Sequence, residues 1–231
     1  PELEGFRIAQ ITDLHVGPTI KADYVQTVVD AINALDVDMV ALTGDLVDGS
    51  VDHLSDDVAP LGGLRSRHGS YMCTGNHEYY AGVDAWLAHF ATLGIEPLNN
   101  QHVVREHDGA RFVVAGVTDV REGERLGKHK SDPAKALQGA PQDVFRLLLA
   151  HQPKSILAAA LAGVSLQLSG HTHAGQFLPW IFFAGLGQPY VAGLHRHGAA
   201  FIYVSRGTGY WGPPVRVGAP SEITLIELVR A

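Results

Sequence analysis

Short apolar runs alternate with amphipathic stretches from the first residues of this chain. Phe6, Ile8 and Ile11 fall in a run that ends at Asp13, which predicts a strand. Tyr24, Val25, Val28, Val29, Ile32 and Leu35 then recur at helical spacing. Residues 37–42 predict a second, buried strand ending at Gly44-Asp45. Leu54, Val58, Leu61 and Leu64 predict a second helix, interrupted by Pro60 and Gly62-Gly63. Residues 70–73 predict a third strand, ending at Gly75-Asn76. Trp86, Leu87, Phe90 and Leu93 form a third helical stripe, which stops at Gly94. This β-α-β-α-β-α order argues for a parallel sheet covered by helices.

The second half has a different pattern. Residues 103–106 and 112–115 predict a hairpin around Asp108-Gly109. The charged segment 121–133 lacks periodicity and reads as an exposed loop. Residues 145–150 predict a strand ending at His151, 155–161 a short helix, and 164–168 a strand ending at Gly170-His171. Residues 201–204 and 223–229 complete a β-rich remainder, so a second sheet with antiparallel pairs is expected.

Composition narrows the class. A length of 231 residues suits one α/β domain spanning 1–231. The formal net charge is −7 and there is no Lys/Arg block, which argues against nucleic-acid binding through a basic surface. No obligatory protein partner is implied. The single cysteine, Cys73, excludes an intramolecular disulfide and sits in an apolar run, so a buried, inert thiol is expected. The longest apolar run, near Phe177, is about half of the ~20 residues a membrane helix needs. The chain begins at Pro1 with a strand pattern almost at once, so a native N-terminal signal or anchor is expected to precede it.

The polar residues that end the strands carry the chemistry. Asp13 and His15 form D-L-H, Asp45 and Asp48 lie in G-D-L-V-D, and Asn76, His77 and Glu78 lie in G-N-H-E. His151 stands alone, and His171 and His173 form G-H-T-H. Singly, each has a bland reading: a turn Asp, a helix cap, a structural histidine. Five strand-ending turns, each carrying Asp, Asn or His, instead suit two metal ions. In open α/β sheets ligands bind beyond the carboxyl ends of the strands, where the first three motifs fall. Asp48 and Glu78 read as scaffold. The histidines outside the motifs, such as His53, His89 and His129, read as scattered surface residues.

The order D-x-H, G-D-x-x-D, G-N-H-E, H, G-H-T-H resembles the calcineurin-like metallophosphoesterases along almost the whole chain. Residues 169–176, 189–194, 205–207 and 211–214, with Gly218-Ala219-Pro220, resemble a bacterial branch of membrane-anchored or exported phosphoesterases. Some of that branch act on a UDP-diacylglucosamine-type lipid A precursor. Ala174 departs from the glycine expected there.

The resemblance implies a four-layer α/β-β/α sandwich of two mixed sheets, with a dinuclear site at the strand C-terminal ends. It implies that Asp13, His15, Asp45 and His173 hold one metal, and that Asp45 bridges to a second held by Asn76, His151 and His171. His77 would contact phosphate and protonate the leaving oxygen. The ions would be Mn, Fe or Zn, divalent or of mixed valence. The implied reaction is hydrolysis of a phosphomonoester, phosphodiester or pyrophosphate by a metal-bridging hydroxide, on a lipid-linked substrate in that branch. Association with a membrane surface, on a bacterial membrane-associated or exported protein, is the matching expectation.

Alternatives are a cyclic-nucleotide or general phosphodiesterase and, in another class, a non-catalytic metal-binding module. Arg206 and His195 are further candidates for substrate binding, each beside a structural reading. The aromatic segment after G-H-T-H fits buried core or a lipid-facing surface.

Overall fold

Side-chain alternation along the central strands determines how the layers stack. The computed structural model describes residues 3–127 and 129–230. Pro1, the start of the expectation of a preceding anchor, and Lys128 of the 121–133 segment lie outside them.

The first sheet contains β1 (Arg7–Ile11), β2 (Met39–Leu42), β3 (Ser70–Met72) and β4 (Ile95–Pro97), all parallel. The last strand, β11 (Thr224–Glu227), joins antiparallel to β1, giving the order β11-β1-β2-β3-β4. Helices α1 (Ala22–Asn33), α2 (Val51–Val58), α3 (Asn76–Ala81) and α4 (Val83–Thr92) connect the strands. A 3-10 turn, Ala59–Gly63, follows α2 where Pro60 removes a backbone donor.

The second sheet contains β5 (Gln101–His107), β6 (Ala110–Gly116), β7 (Phe145–Leu149), β8 (Leu166–Ser169), β9 (Gly193–His197) and β10 (Ala200–Val204), ordered β5-β6-β7-β8-β10-β9. Its inner strands are parallel and its edge strands antiparallel. The β5–β6 turn has positive φ at both Asp108 and Gly109, as a two-residue hairpin with right-handed strand twist requires.

Three apolar layers fill the sandwich. On β1 and β2, Ala9, Ile11, Val40 and Leu42 face α1, α2 and α4, where Val28, Ile32, Leu54, Trp86 and Phe90 meet them. The intervening Ile8, Met39 and Ala41 face the other sheet and pack with Phe112, Val114, Leu147, Leu149 and Leu168. The outer face of the second sheet, with Val113, Leu148 and Ile202, is covered by α6 (Pro133–Ala136) and α7 (Ile156–Leu161). This period-two division on strands buried on both faces produces the four layers. The expected fold class is observed.

Several local expectations need correction. The 121–133 segment is not simply exposed: α5 (Glu122–Arg125) and the start of α6 form there, and Glu122 is buried. His195, a candidate for substrate binding, lies on strand β9. No residue of 177–187 is buried, which removes the core reading of that segment. Cys73 is fully buried, and burial raises its thiol pKa well above the ordinary value.

Candidate metal centre

The five motifs follow β1, β2, β3, β7 and β8, and they meet where the same ends of the two sheets face each other. Polar cross-links hold the sheets together beneath them. Gln10 Nε2 donates to Thr43 Oγ1 at 2.8 Å and to the Ser169 carbonyl at 3.0 Å. His151 Nδ1 donates to the Thr43 carbonyl at 2.8 Å, which leaves Nε2 to face Asp45 Oδ2.

The backbone here is strained in a patterned way. Asp13, His15, Asp45, His171 and His173 all have positive φ, between 49° and 72°. Such angles are uncommon outside glycine and cluster where structure serves a site. Two motif glycines are required by close approach. A Cβ at Gly75 would lie within 2.5 Å of Asp45 atoms, and one at Gly170 would strike Asp13 Oδ2 and Thr12. The strand-end turns are thus packed so tightly that their side chains converge.

Convergence produces two groups of donor atoms. In each, one ligand atom per residue lies within 4.8 Å of the others: Asp13, His15 and His173 in one, Asp45, His151 and His171 in the other. In the first, His15 Nε2 is 3.1 Å from His173 Nε2, which is 3.1 Å from Asp13 Oδ1. In the second, His151 Nε2 is 3.0 Å from Asp45 Oδ2 and 3.2 Å from His171 Nδ1. Asp45 also falls in a group with His15 and His77, so it stands between the two sets. Asn76 Oδ1 is buried and has no hydrogen-bond partner among the described residues. A buried amide oxygen without a donor is costly, and a hard or borderline cation would satisfy it. The residues therefore fit a pair of metal ions.

Electrostatics agree with this donor set. Burial opposes ionisation of Asp13, yet His173 beside it holds the carboxyl well below the ordinary range. His151 does the same for Asp45 against a similar burial cost. Burial lowers the pKa of His151, but Asp45 outweighs it and pushes the value up to about 10. Burial and the neighbouring His151 bring His171 down to about 4. The carboxylates are ionised and aimed at positive charge, which a cation can replace.

His77 occupies a different position. Its backbone N–H donates to Asp45 Oδ1 at 2.9 Å. Its Nδ1 lies 2.6 Å from Asp48 Oδ1, and its Nε2 is turned toward Asp45 Oδ2 at 4.0 Å. Burial lowers the imidazole pKa, but Asp48 and Asp45 raise it more, so the net shift is upward.

Sequence reasoning missed part of this framework. Asp48 does more than shape a loop: the same Oδ1 accepts from His15 Nδ1 at 2.8 Å and from His77. It is therefore an orienting carboxylate for two site histidines. Glu78, read as scaffold, accepts from the backbone N–H groups of Asp45, Leu46 and Gly75 at 3.0, 2.7 and 2.6 Å. Arg216 Nη2 donates to His173 Nδ1 at 3.0 Å, and Gln176 ties the G-H-T-H turn to Trp211. The only sequence signal for these was proximity to motifs for Asp48, Glu78 and Gln176. Arg216 carried none.

Two candidates do not reach the site. Arg206 is half-exposed, its Nη1 3.6 Å from Glu222 Oε2, and it does not line the cavity over the donor atoms. His195 Nε2 donates to the Ala192 carbonyl and its ring stacks on Tyr190. Both side chains are engaged in intramolecular contacts.

A family model described as calcineurin-like phosphoesterase matches residues 6–175, most of the chain and all five motifs in full. The chain belongs to the calcineurin-like phosphoesterase family. Members are metal-dependent phosphoric ester hydrolases, and the family implies a dinuclear metal site. A metallophosphoesterase of Helicobacter pylori is 41% identical over 96% of this chain and 60% of its own length. A zebrafish (Danio rerio) transmembrane protein with a metallophosphoesterase domain is 40% identical over 99% of this chain and 54% of its own. The chain thus spans a little over half the length of these relatives. They include animal as well as bacterial proteins, so the resemblance is not confined to one bacterial branch.

Among solved structures, a 5'-nucleotidase precursor from Thermus thermophilus aligns over 87% of this chain and 48% of its own (TM-score 0.55, 16% identity). The phosphopantetheinyl hydrolase of Mycobacterium tuberculosis aligns over 88% and 89% (TM-score 0.54, 12% identity). At such identity these neighbours establish the phosphoesterase fold. No helix among the described residues is long and apolar enough to cross a membrane.

Above the donor atoms lies a cavity of ≈ 360 Å³. It is lined by His15, Asp45, Asn76, His77, His171 and His173 together with Trp180, Phe183, Ala184 and Trp211. In the same segment as Trp180 and Phe183, Leu178, Phe182 and Leu186 are more than half exposed.

Proposed function

We propose that this chain is a dinuclear metal-dependent phosphoesterase whose substrate carries an apolar group. The observation that carries the reading is the pair of donor groups on either side of Asp45, completed by the partnerless Asn76 oxygen. Asp13, His15 and His173 would hold one ion, Asn76, His151 and His171 the other, and Asp45 would serve both. When bound, two such ions supply an activated water at neutral pH and offset charge on the phosphoryl oxygens. Sequence and donor chemistry alike are compatible with Mn, Fe or Zn.

The chain's own residues do the rest. Asp48 fixes the His15 and His77 rings through one oxygen. Its bond to His77 Nδ1 leaves Nε2 to face the cavity, and with Asp45 it shifts the imidazole pKa upward against the cost of burial, which favours proton donation from His77 to the leaving oxygen. His77→Ala is expected to keep both metals and lose about 100-fold or more in rate. The loss should be greatest for esters with poor leaving groups. Loss of metal in that variant would make His77 a ligand instead.

Trp180, Phe183 and Trp211 support the apolar part of the substrate. They line the same cavity as His77 and Asp45, beside further exposed apolar side chains. An amphipathic phosphoester, such as a lipid-linked nucleotide diphosphate of the UDP-diacylglucosamine type, would place its phosphate at the donor atoms and its acyl chain against the aromatic side chains. The same surface suits contact with a membrane. Trp180→Ser with Phe182→Ser is expected to reduce co-sedimentation with liposomes while leaving hydrolysis of a small soluble ester unchanged. Unchanged co-sedimentation would remove the membrane role.

A panel of monoesters, diesters, cyclic nucleotides and lipid-linked pyrophosphates tests the substrate class. Preference for the amphipathic members supports the reading. Preference for cyclic nucleotides would favour the general phosphodiesterase alternative. A metal-loaded protein inert toward every member would indicate a binding module.

A further inference from the structure

A second set of metal-ligating side chains lies at the opposite end of the sandwich from the phosphoesterase motifs. Asp38 precedes β2, His68 precedes β3, and His107 ends β5. The first two belong to one sheet and the third to the other. Their donor atoms lie within 4.8 Å of one another. His68 Nε2 is 3.0 Å from His107 Nδ1, and His107 Nδ1 is 3.7 Å from Asp38 Oδ1. Ligands of a tetrahedral zinc at its usual bond lengths stand about 3.3 Å apart, between these two values.

We propose that Asp38, His68 and His107 form a separate mononuclear site for a borderline divalent cation, zinc above all, that clips the two sheets together at their N-terminal end.

The surroundings fit. Asp38 Oδ2 accepts the Arg7 N–H at 2.8 Å, which fixes the carboxylate and leaves Oδ1 toward the histidines. The second nitrogen of His107 faces Asp108 Oδ2 at 3.4 Å, an outer carboxylate on a ligand histidine. Phe6 packs against both rings, stacked on His68 and edge-on to His107, and restricts their rotation. The cation closest in sequence, Arg67, is engaged by Asp108 at 2.7 Å. Arg105 is held by Glu96 and Tyr71. Without metal, the two rings can only share one proton. A metal would use both nitrogens and the carboxylate at once, with a fourth position open to water. His107 is buried and His68 partly so, which sets this pair apart from scattered surface histidines.

The test is a count. Wild type and His68→Gln are dialysed in parallel against zinc, then freed of loose metal. Wild type is expected to retain one equivalent more than His68→Gln, and the two should hydrolyse phosphoesters equally, since His68 lies away from the catalytic end. Equal zinc content in the two proteins would overturn the site. Should His68→Gln fail to fold, zinc-soaked wild-type crystals measured at the zinc edge decide: a peak is expected among Asp38, His68 and His107, and its absence overturns the site. Either readout is independent of whether the other centre hydrolyses phosphoesters.

Discussion

Asp45→Asn is expected to lose bound metal and most of its turnover. The side chain keeps its shape, so the effect isolates charge and donor chemistry. Asp45 has one oxygen 3.0 Å from His151 and the other accepting the His77 N–H at 2.9 Å. It is the only carboxylate found both with His15 and with the His151–His171 pair among the described donor groups. An amide there replaces one oxygen with an NH2 group that cannot ligate and removes a negative charge between two cations. Changes one step removed from a metal already cost about 10- to 100-fold in affinity or activity. Loss of the shared ligand should exceed that, with a fall of at least about 100-fold in kcat/KM and less metal per chain than wild type. A variant with full metal and wild-type rate would show that Asp45 is not shared.

Glu78→Ala is expected to damage the fold itself. The carboxylate is fully buried and receives three backbone N–H bonds, from Asp45, Leu46 and Gly75. It joins the turn after β2 to the turn after β3, where backbone approach already excludes a Cβ at Gly75. Truncation leaves three buried donors unpaired, each worth about 1–3 kcal/mol. The sum is a large share of the ~5–15 kcal/mol that stabilises an ordinary domain. Thermal melting should therefore fall by more than about 10 °C, or the protein should be recovered unfolded. Glu78→Gln keeps one acceptor oxygen and should fall between. A Glu78→Ala melt within about 2 °C of wild type would mean that those donors find other partners.

Much of this architecture was legible because burial on both faces writes continuous apolar runs. The strands preceding the motifs read correctly, since Ile8, Val40 and Leu148 stand in runs with no competing helical period. The hairpin read correctly from Asp108-Gly109. What escaped was set by contacts distant in sequence. Strand β9 reads Gly-Leu-His-Arg-His and has no apolar face, because it is an edge strand only partly covered. Strand β4 has three residues and ends in proline. The short helices of the 121–133 segment come from packing rather than from a periodic pattern: α5 packs against α3, and α6 against α7, β5 and β6.

The same holds at the site. The motifs named the donor residues, but no spacing rule tells that Asp48 would meet His15, 33 positions away. Nor could the sequence say that Arg206 would pair with Glu222 rather than reach the cavity. The aromatic run 177–187 has the composition of a core, and only the fold shows it exposed beside the cavity. The strained φ at Asp13, His15, Asp45, His171 and His173 is likewise invisible in sequence, because only the packed turns impose it.

The central claim is a two-metal centre that hydrolyses phosphoesters. The most direct measurement is a titration of chelator-stripped protein with Mn²⁺ or Zn²⁺, with bound metal and hydrolysis followed in the same samples of the His68→Gln variant. Hydrolysis should be absent at zero metal and reach its maximum only as the second equivalent binds. Full rate at one equivalent, or hydrolysis that survives complete metal removal, would contradict it.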